Sequence, residues 1–274
     1  MTGRGSSRPA WERALRRLFV GAATLASLAC GERDVSQIDP DALALDFARY
    51  YSDGPGAEAR VFGLRFLGLP IVQNPLDLFI YQEILWEVRP DFVIEAGTYA
   101  GGTALYLAVL LEQMRPQAKV IAIDLRPRIE EYVEAIRPPA IRDRIRGIFE
   151  KRIELVVSDS AAPELGAQLA ERVGDKKVLV TLDSCHNVDH VRKELELYAP
   201  LVSPGSYLIV QDTLTDRRPE WVERIATCPG YERVGGPGLA VQEFLDAHPE
   251  FQADRSREKL LITWNPSGYL KRVR

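Results

Sequence analysis

Cysteine is scarce in this chain: Cys30, Cys185 and Cys228 are the only three in 274 residues, odd in number and far apart. That count excludes the disulfide framework of a small secreted domain and fits a reducing compartment. A basic surplus is missing too. The net charge is −4 and the isoelectric point near 5.6, which argues against a nucleic-acid partner, because such proteins carry a basic face. No fixed-period repeat or low-complexity tract occurs, so solenoids and arrays are excluded. The N-terminal apolar run Leu18–Ala29 has 12 residues, too few to span a bilayer comfortably.

What is present is ample apolar material. Hydrophobic residues make up 46% and charged residues 27% of the chain, enough for one α/β domain with short extensions. Residues 1–35 differ from the rest. Arg4, Arg8, Arg13, Arg16 and Arg17 precede the apolar run, which ends in Ser27-Leu28-Ala29-Cys30. This reads either as a secretory signal of lipoprotein type or as a membrane-apposed segment, residues 13–30, with the catalytic part left in the cytoplasm. Residues 36–90 read as a helical extension and 91–274 as the main domain.

Along the chain, apolar positions at helical spacing run from Ile38 to Tyr51 and stop at Gly54-Pro55-Gly56. Asn74-Pro75 predicts a helix start, an Asn cap followed by proline in the first helical position. That helix continues through Trp86 to Pro90, with Phe79, Tyr81 and Trp86 read as core. Short apolar runs then alternate with helical periods. The predicted strands are 92–94, 119–123, 153–157, 178–182 and 207–210, and the helices 103–114, 129–137, 163–173, 188–201 and 239–246. Two further strands, Phe251–Asp254 and Leu260–Trp264, form a terminal antiparallel hairpin. The fold class is therefore α/β, a doubly wound, mostly parallel seven-stranded sheet.

In such sheets ligands bind at the carboxyl ends of the strands. The first strand ends in Glu95-Ala96-Gly97-Thr98, followed by Gly101-Gly102 at a helix start. The spacing is not the dinucleotide pattern G-x-G-x-x-G. A wider loop of this kind can wrap a methionine tail and a ribose, which points to S-adenosylmethionine. Asp124 ends the next strand, where a carboxylate can accept both ribose hydroxyls. Ser158 and Asp159 close the third, at the adenine edge.

The fourth strand ends in Asp183-Ser184-Cys185-His186 and the fifth in Gln211-Asp212. Asp183 and Asp212, helped by the Gln211 amide oxygen, offer hard oxygen ligands for Mg²⁺ or a similar cation. Such a cation could bind and acidify an acceptor hydroxyl, and His186 is placed to take its proton. Cys185 beside His186 is a weaker thiol–imidazole candidate, and His190, one helical turn on, reads as a supporting residue.

These strings resemble a known family. Asn74-Pro75-Leu76-Asp77, Gln82 through Glu87, Glu95-Ala96-Gly97, Leu182 through His186, Glu194 through Val202, Gly205-Ser206-Tyr207, Lys259 through Ile262 and Gly268 through Arg272 occur in the order seen in the cephalosporin hydroxylase/rhamnosyl O-methyltransferase family. The resemblance spans roughly residues 70–274. It implies a metal-dependent, S-adenosylmethionine-dependent O-methyltransferase acting on a small hydroxylated acceptor: a sugar, a glycolipid or a secondary metabolite. It also implies oligomeric relatives, metal carboxylates at Asp183 and Asp212, and a histidine base at His186. One departure stands out: Gln211 replaces a glutamate usual in the family and removes one negative charge from the metal site. Two alternatives remain open here, a hydroxylation or methoxylation role within the family and an exported lipoprotein that uses the fold as a binding module.

Overall fold

The computed structural model describes residues 38–226 and 228–274. The chain divides between Leu43 and Ala44. Of the first unit, residues 38–43 are described. They open the helix Pro40–Asp53, whose first turn is capped by Asp39 Oδ1 accepting from the amides of Asp41 at 3.0 Å and Ala42 at 3.2 Å. Cys30 and the leader lie outside the described residues. Among the described residues no helix is long and apolar enough to cross a membrane.

In the second unit a two-stranded hairpin, β1 (Arg65–Phe66) and β2 (Leu69–Pro70), precedes the central sheet. The helix Pro75–Val88 begins as its sequence predicts: Asn74 Oδ1 accepts from Leu76 N at 3.2 Å, and Arg89 in the left-handed region ends it. The central sheet contains β3 (Phe92–Ala96), β4 (Lys119–Asp124), β5 (Ile153–Val157), β6 (Val178–Leu182), β7 (Tyr207–Val210), β8 (Phe251–Ala253) and β9 (Tyr269–Arg272). Their spatial order is β5-β4-β3-β6-β7-β9-β8. β3 to β7 pair in parallel, whereas β9 runs antiparallel to both β7 and β8. The order reverses at β3, between β4 and β6, which opens a crevice at the carboxyl ends there.

Alternation along the strands divides the core. Ile94, Ala96, Ile121, Ile123, Val180, Leu182, Leu208 and Val210 face the helices Pro163–Val173, Val188–Tyr198 and Pro237–Ala247. Val93, Val120, Ala122, Leu179 and Ile209 face the helices Pro75–Val88 and Gly102–Met114. Each fully buried Val, Leu or Ile contributes about 1.5–3 kcal/mol, so covering both faces is what makes the near-continuous apolar strands favourable.

Three elements depart from expectation. The stretch 139–152 is a helix, Pro139–Arg152, with Ile145 its one buried side chain; charge on half of its positions hides the apolar stripe. The last strand is Tyr269–Arg272 and not Leu260–Trp264. It lies between β7 and β8, where Tyr269 and Leu270 are fully buried, while Leu260 and Leu261 are exposed and Leu261 sits at φ 68°. The segment Leu260–Trp264 is instead a loop tied to the helix Pro75–Val88, with Asp77 Oδ2 accepting from Trp264 N at 2.8 Å. Finally, Tyr81 is buried as expected, but Phe79 and Trp86 are 59% and 57% exposed.

Candidate active site

The loops after β3 and β6 touch through their backbones. Asp183 N donates to Ala96 O at 2.7 Å and Gly97 N to Ile123 O at 2.8 Å. Gly97 has φ +90°, and a β-carbon there would lie 2.0 Å from the Asp183 carbonyl oxygen, so no other residue fits. Gly102 serves a different contact: its β-carbon would strike the Pro70 carbonyl at 1.9 Å, packing the helix Gly102–Met114 onto β2. Gly101, at φ +78°, is that helix's N-cap.

A cavity of about 310 Å³ opens at this crevice, lined by Gly97, Asp124, Asp159, Ser160, Asp183 and Ser184 among others. Asp124 is fixed at its rim: Oδ2 accepts from Tyr99 N at 2.8 Å and Oδ1 from Arg126 N at 2.7 Å. Thr98 and Glu95 are buried and do not line it. Glu95 is 1% exposed, neither of its carboxylate oxygens has a partner, and Thr98 Oγ1 is likewise unpartnered. Burial pushes the Glu95 carboxyl up to about 8. Ser158 does not line the cavity. Its hydroxyl donates to the Asp159 carbonyl at 3.2 Å, and Ser160 takes the lining position instead.

His190 also lines this cavity. Its Nε2 lies 3.0 Å from Ser184 Oγ and 3.2 Å from Ser160 Oγ, and its Nδ1 lies 3.1 Å from Tyr231 Oη. Glu194, fully buried, accepts from Ser184 Oγ at 2.7 Å. The cysteines require a correction. Cys185 and Cys228 are joined in a disulfide with Cα atoms 6.2 Å apart, within the span such bonds need. Cys185 therefore offers no thiol to His186. The pairing follows from the fold bringing two loops together and has no signature in residue spacing.

Asp183, His186 and Asp212 converge at the ends of β6 and β7, each offering a ligand atom within 4.8 Å of the others. His186 Nε2 is 3.2 Å from Asp212 Oδ2. Gln73, which the sequence reading missed, donates from Nε2 to Asp183 Oδ2 at 2.7 Å. Burial first, then the charges of Asp212 and Glu95, hold the Asp183 carboxyl well above the usual carboxylate range. Asp212 is raised by burial, with His186 opposing. Asp212 also sits in the left-handed region, φ 56°, where Asp is tolerated better than most residues. Asn265, also missed, holds it there by accepting from its amide at 2.9 Å. Gln211 is buried, and its amide nitrogen donates to Tyr81 Oη, which lies 2.7 Å from Thr181 Oγ1. Beside this trio lies a second cavity, of about 220 Å³, into whose lining His186 and Asp212 enter together with Trp221 and Trp264.

Comparisons with known proteins agree with this architecture. The family model described as Rhamnosyl O-methyltransferase/CmcI matches residues 60–273. The rhamnosyl O-methyltransferase of Mycobacterium tuberculosis (strain ATCC 25618 / H37Rv) is 32% identical over 211 residues, 76% of this chain and 77% of that protein. That of Mycobacterium leprae (strain TN) is 29% identical over 212 residues, 76% of this chain and 82% of the other. Among solved structures, CmcI with Mg and SAM is 20% identical with a TM-score of 0.52, covering 100% of this chain and 88% of that one; this likeness is one of fold.

Proposed function

From the premise that the chain belongs to the rhamnosyl O-methyltransferase/CmcI family and is an S-adenosylmethionine-dependent O-methyltransferase, we propose that it methylates a hydroxyl of a neutral sugar, with His186 as general base and Asp183 and Asp212 as the Mg²⁺ carboxylates. The observation that carries this reading is the placement of residues 183–186. Asp183 lines the glycine-loop cavity and His186 lines the second one, so four consecutive residues join a cofactor site to an acceptor site.

The residues fit both groups. Gly97, Asp124 and Asp159 line the cofactor side, with Ser160 taking the part assigned to Ser158; Glu95 and Thr98, outside that lining, keep buried polar atoms without partners, and Gly101 and Gly102 serve the start and the packing of the following helix. Two carboxylates suit a hard cation; Mg²⁺ takes oxygen in preference to imidazole, which leaves His186 for proton transfer. Gln211 can add only an amide oxygen to that site. When bound, Mg²⁺ supplies the charge that lowers an acceptor hydroxyl's pKa, and S-adenosylmethionine supplies an electrophilic methyl. His186 accepts the hydroxyl proton, and Asp212 at 3.2 Å stabilises the imidazolium that forms. Gln73 and Asn265 hold the two aspartates in place. The enzyme would work in the cytoplasm, where the cofactor is made, with residues 13–30 as a membrane contact and a homo-oligomer as its assembly. Residues 1–35, 36–90 and 91–274 would serve as leader, helical extension and methyltransferase domain.

Calorimetric titration of S-adenosylmethionine into the protein, with Mg²⁺ and then with chelator, tests the reading. Binding that Asp124→Ala abolishes supports it, and absence of binding in both conditions refutes it.

A further inference from the structure

The loop after β6 is tied at both ends. At one, Asp183 N donates to Ala96 O and Ser184 Oγ to Glu194 Oε1, both at 2.7 Å. At the other, Asn187 Oδ1 caps the helix Val188–Tyr198 by accepting from Asp189 N at 2.9 Å. Between them, among the described residues, no backbone hydrogen bond holds Cys185 or His186. What holds them is the Cys185–Cys228 disulfide and the contact of His186 with Asp212 at 3.2 Å. Yet Cys185 lines the glycine-loop cavity and His186 the second one. The bridge thus secures the pair of residues at which the two cavities meet.

Cys228 belongs to a strap, residues 228–236, that has no helix or strand and joins the helices Pro219–Ile225 and Pro237–Ala247. The strap is docked without help from the bridge. Asn187 Nδ2 donates to Ala226 O at 3.0 Å and to Arg233 O at 2.9 Å, and Val188 N donates to Gly235 O at 3.0 Å. Tyr231 Oη lies 3.1 Å from His190 Nδ1. Opening the bridge therefore leaves the strap in place and the two thiols within reach of closing again, while Cys185 and His186 lose their covalent tie. Both cysteines are half-buried, so a small dithiol can reach them. In a reducing compartment, which the scarcity of cysteine fits, such bridges are transient and redox-sensing more often than structural.

We propose that the Cys185–Cys228 disulfide is a redox switch on cofactor binding. Closed, it holds residues 185–186 in the form that completes the cofactor cavity; opened by a dithiol, it releases them and the cavity loses affinity for S-adenosylmethionine. In the opening step the dithiol gives two electrons and two protons. Its own sulfurs join in a disulfide, and Cys185 and Cys228 become thiols. The proposal rests on the placement of the cofactor in the glycine-loop cavity, a placement that gives Cys228 no part.

The test is calorimetric titration of S-adenosylhomocysteine into the full chain with Mg²⁺, first with the bridge closed and then after dithiothreitol. Iodoacetamide labelling with mass spectrometry identifies the free thiols in each state. Reduction should add labels at Cys185 and Cys228 and weaken binding about tenfold, the order of factor that ordering one freed residue costs. Reoxidation should restore it. Cys30→Ser should respond as the unaltered chain does, whereas Cys228→Ser should bind at the reduced level and ignore dithiothreitol. Because linkage is reciprocal, saturating S-adenosylhomocysteine should raise by the same factor the ratio of reduced to oxidised dithiothreitol that opens the bridge. That shift is the second readout, should Cys228→Ser fail to fold. Two new labels with unchanged affinity overturn the proposal even where the urea midpoint falls, since a merely structural clamp behaves that way. So does a bridge that never forms between Cys185 and Cys228. Binding that Asp124→Ala leaves intact would remove the cofactor placement and this proposal with it. Binding that Asp124→Ala abolishes, but that is equal in both redox states, would overturn this proposal alone.

Discussion

A carboxyl without a partner is a cost the free enzyme carries at Glu95, and its sign with pH can be worked out. Burial favours the protonated form and raises the folded value from 4.5 to about 8. The folded state therefore binds more protons than the unfolded chain between these limits, and stability falls as pH rises through the window. Asp77, pushed up by burial to about 6, and Asp183, Asp212 and His248, raised as well, also respond to pH, so the share of Glu95 between pH 6 and 8 is the difference between the unaltered protein and Glu95→Gln. Glu95→Gln should flatten the pH dependence of the urea midpoint across that interval and gain on the order of a few kcal/mol at pH 8. It should also weaken S-adenosylmethionine binding; an unchanged slope would mean the carboxyl does not titrate there. His186 gives the complementary case. His186→Ala should lower kcat by about 10²–10⁴-fold while calorimetry finds the cofactor affinity intact. The strand-end placement of Glu95 and of the segment carrying His186 was legible because the apolar runs before them set the strand limits. Gln73 and Asn265 were not, since each acts on an aspartate far away in the sequence through one hydrogen bond.

At the scale of elements, local chemistry told the truth where it was self-contained. The Asn74 cap, Pro75 and the buried strands β3, β4, β6 and β7 fix their own limits, and the structure follows them. The terminal strand was misplaced because an apolar run is ambiguous by itself. In Leu260–Trp264 only Thr263 and Trp264 are buried, Trp264 lining a cavity, whereas Tyr269–Arg272 wins the sheet position through its pairing with β7 and β8. The disulfide belongs to this scale as well, because it clamps the loop after β6 to the segment after the helix Pro219–Ile225. Cross-linking positions 43 apart removes unfolded-chain entropy worth about 2–4 kcal/mol. Cys228→Ser should lower the urea midpoint accordingly, and a reducing agent should do the same to the unaltered protein while leaving the variant unmoved. Loss of the reductant effect only when Cys30 is replaced would show that the bridge lies elsewhere.

Across the whole molecule, the parallel sheet gathers like charge at one edge. Asp183 and Asp212 lie half-buried side by side, with the Glu95 charge also acting on Asp183. Their raised proton affinities reflect desolvation, joined at Asp183 by repulsion, that the free fold tolerates. A site of this kind is stabilised by whatever cancels the charge, by an amount RT ln(1 + [L]/Kd), or about 2.7 kcal/mol at a hundredfold excess over Kd. For a domain of this size that corresponds to a rise of about 5–10 °C in Tm. Mg²⁺ should therefore raise Tm in a thermal melt, and S-adenosylmethionine should raise it again. Asp183→Asn should behave oppositely: a higher Tm without metal, because one buried charge is gone, and little response to Mg²⁺, because one ligand is gone. A variant that keeps the full Mg²⁺ response would move the cation site away from β6 and β7. A variant that melts lower without metal would mean that the Gln73–Asp183 bond outweighs the charge repulsion, and that the acid cluster is a structural support before it is a binding site.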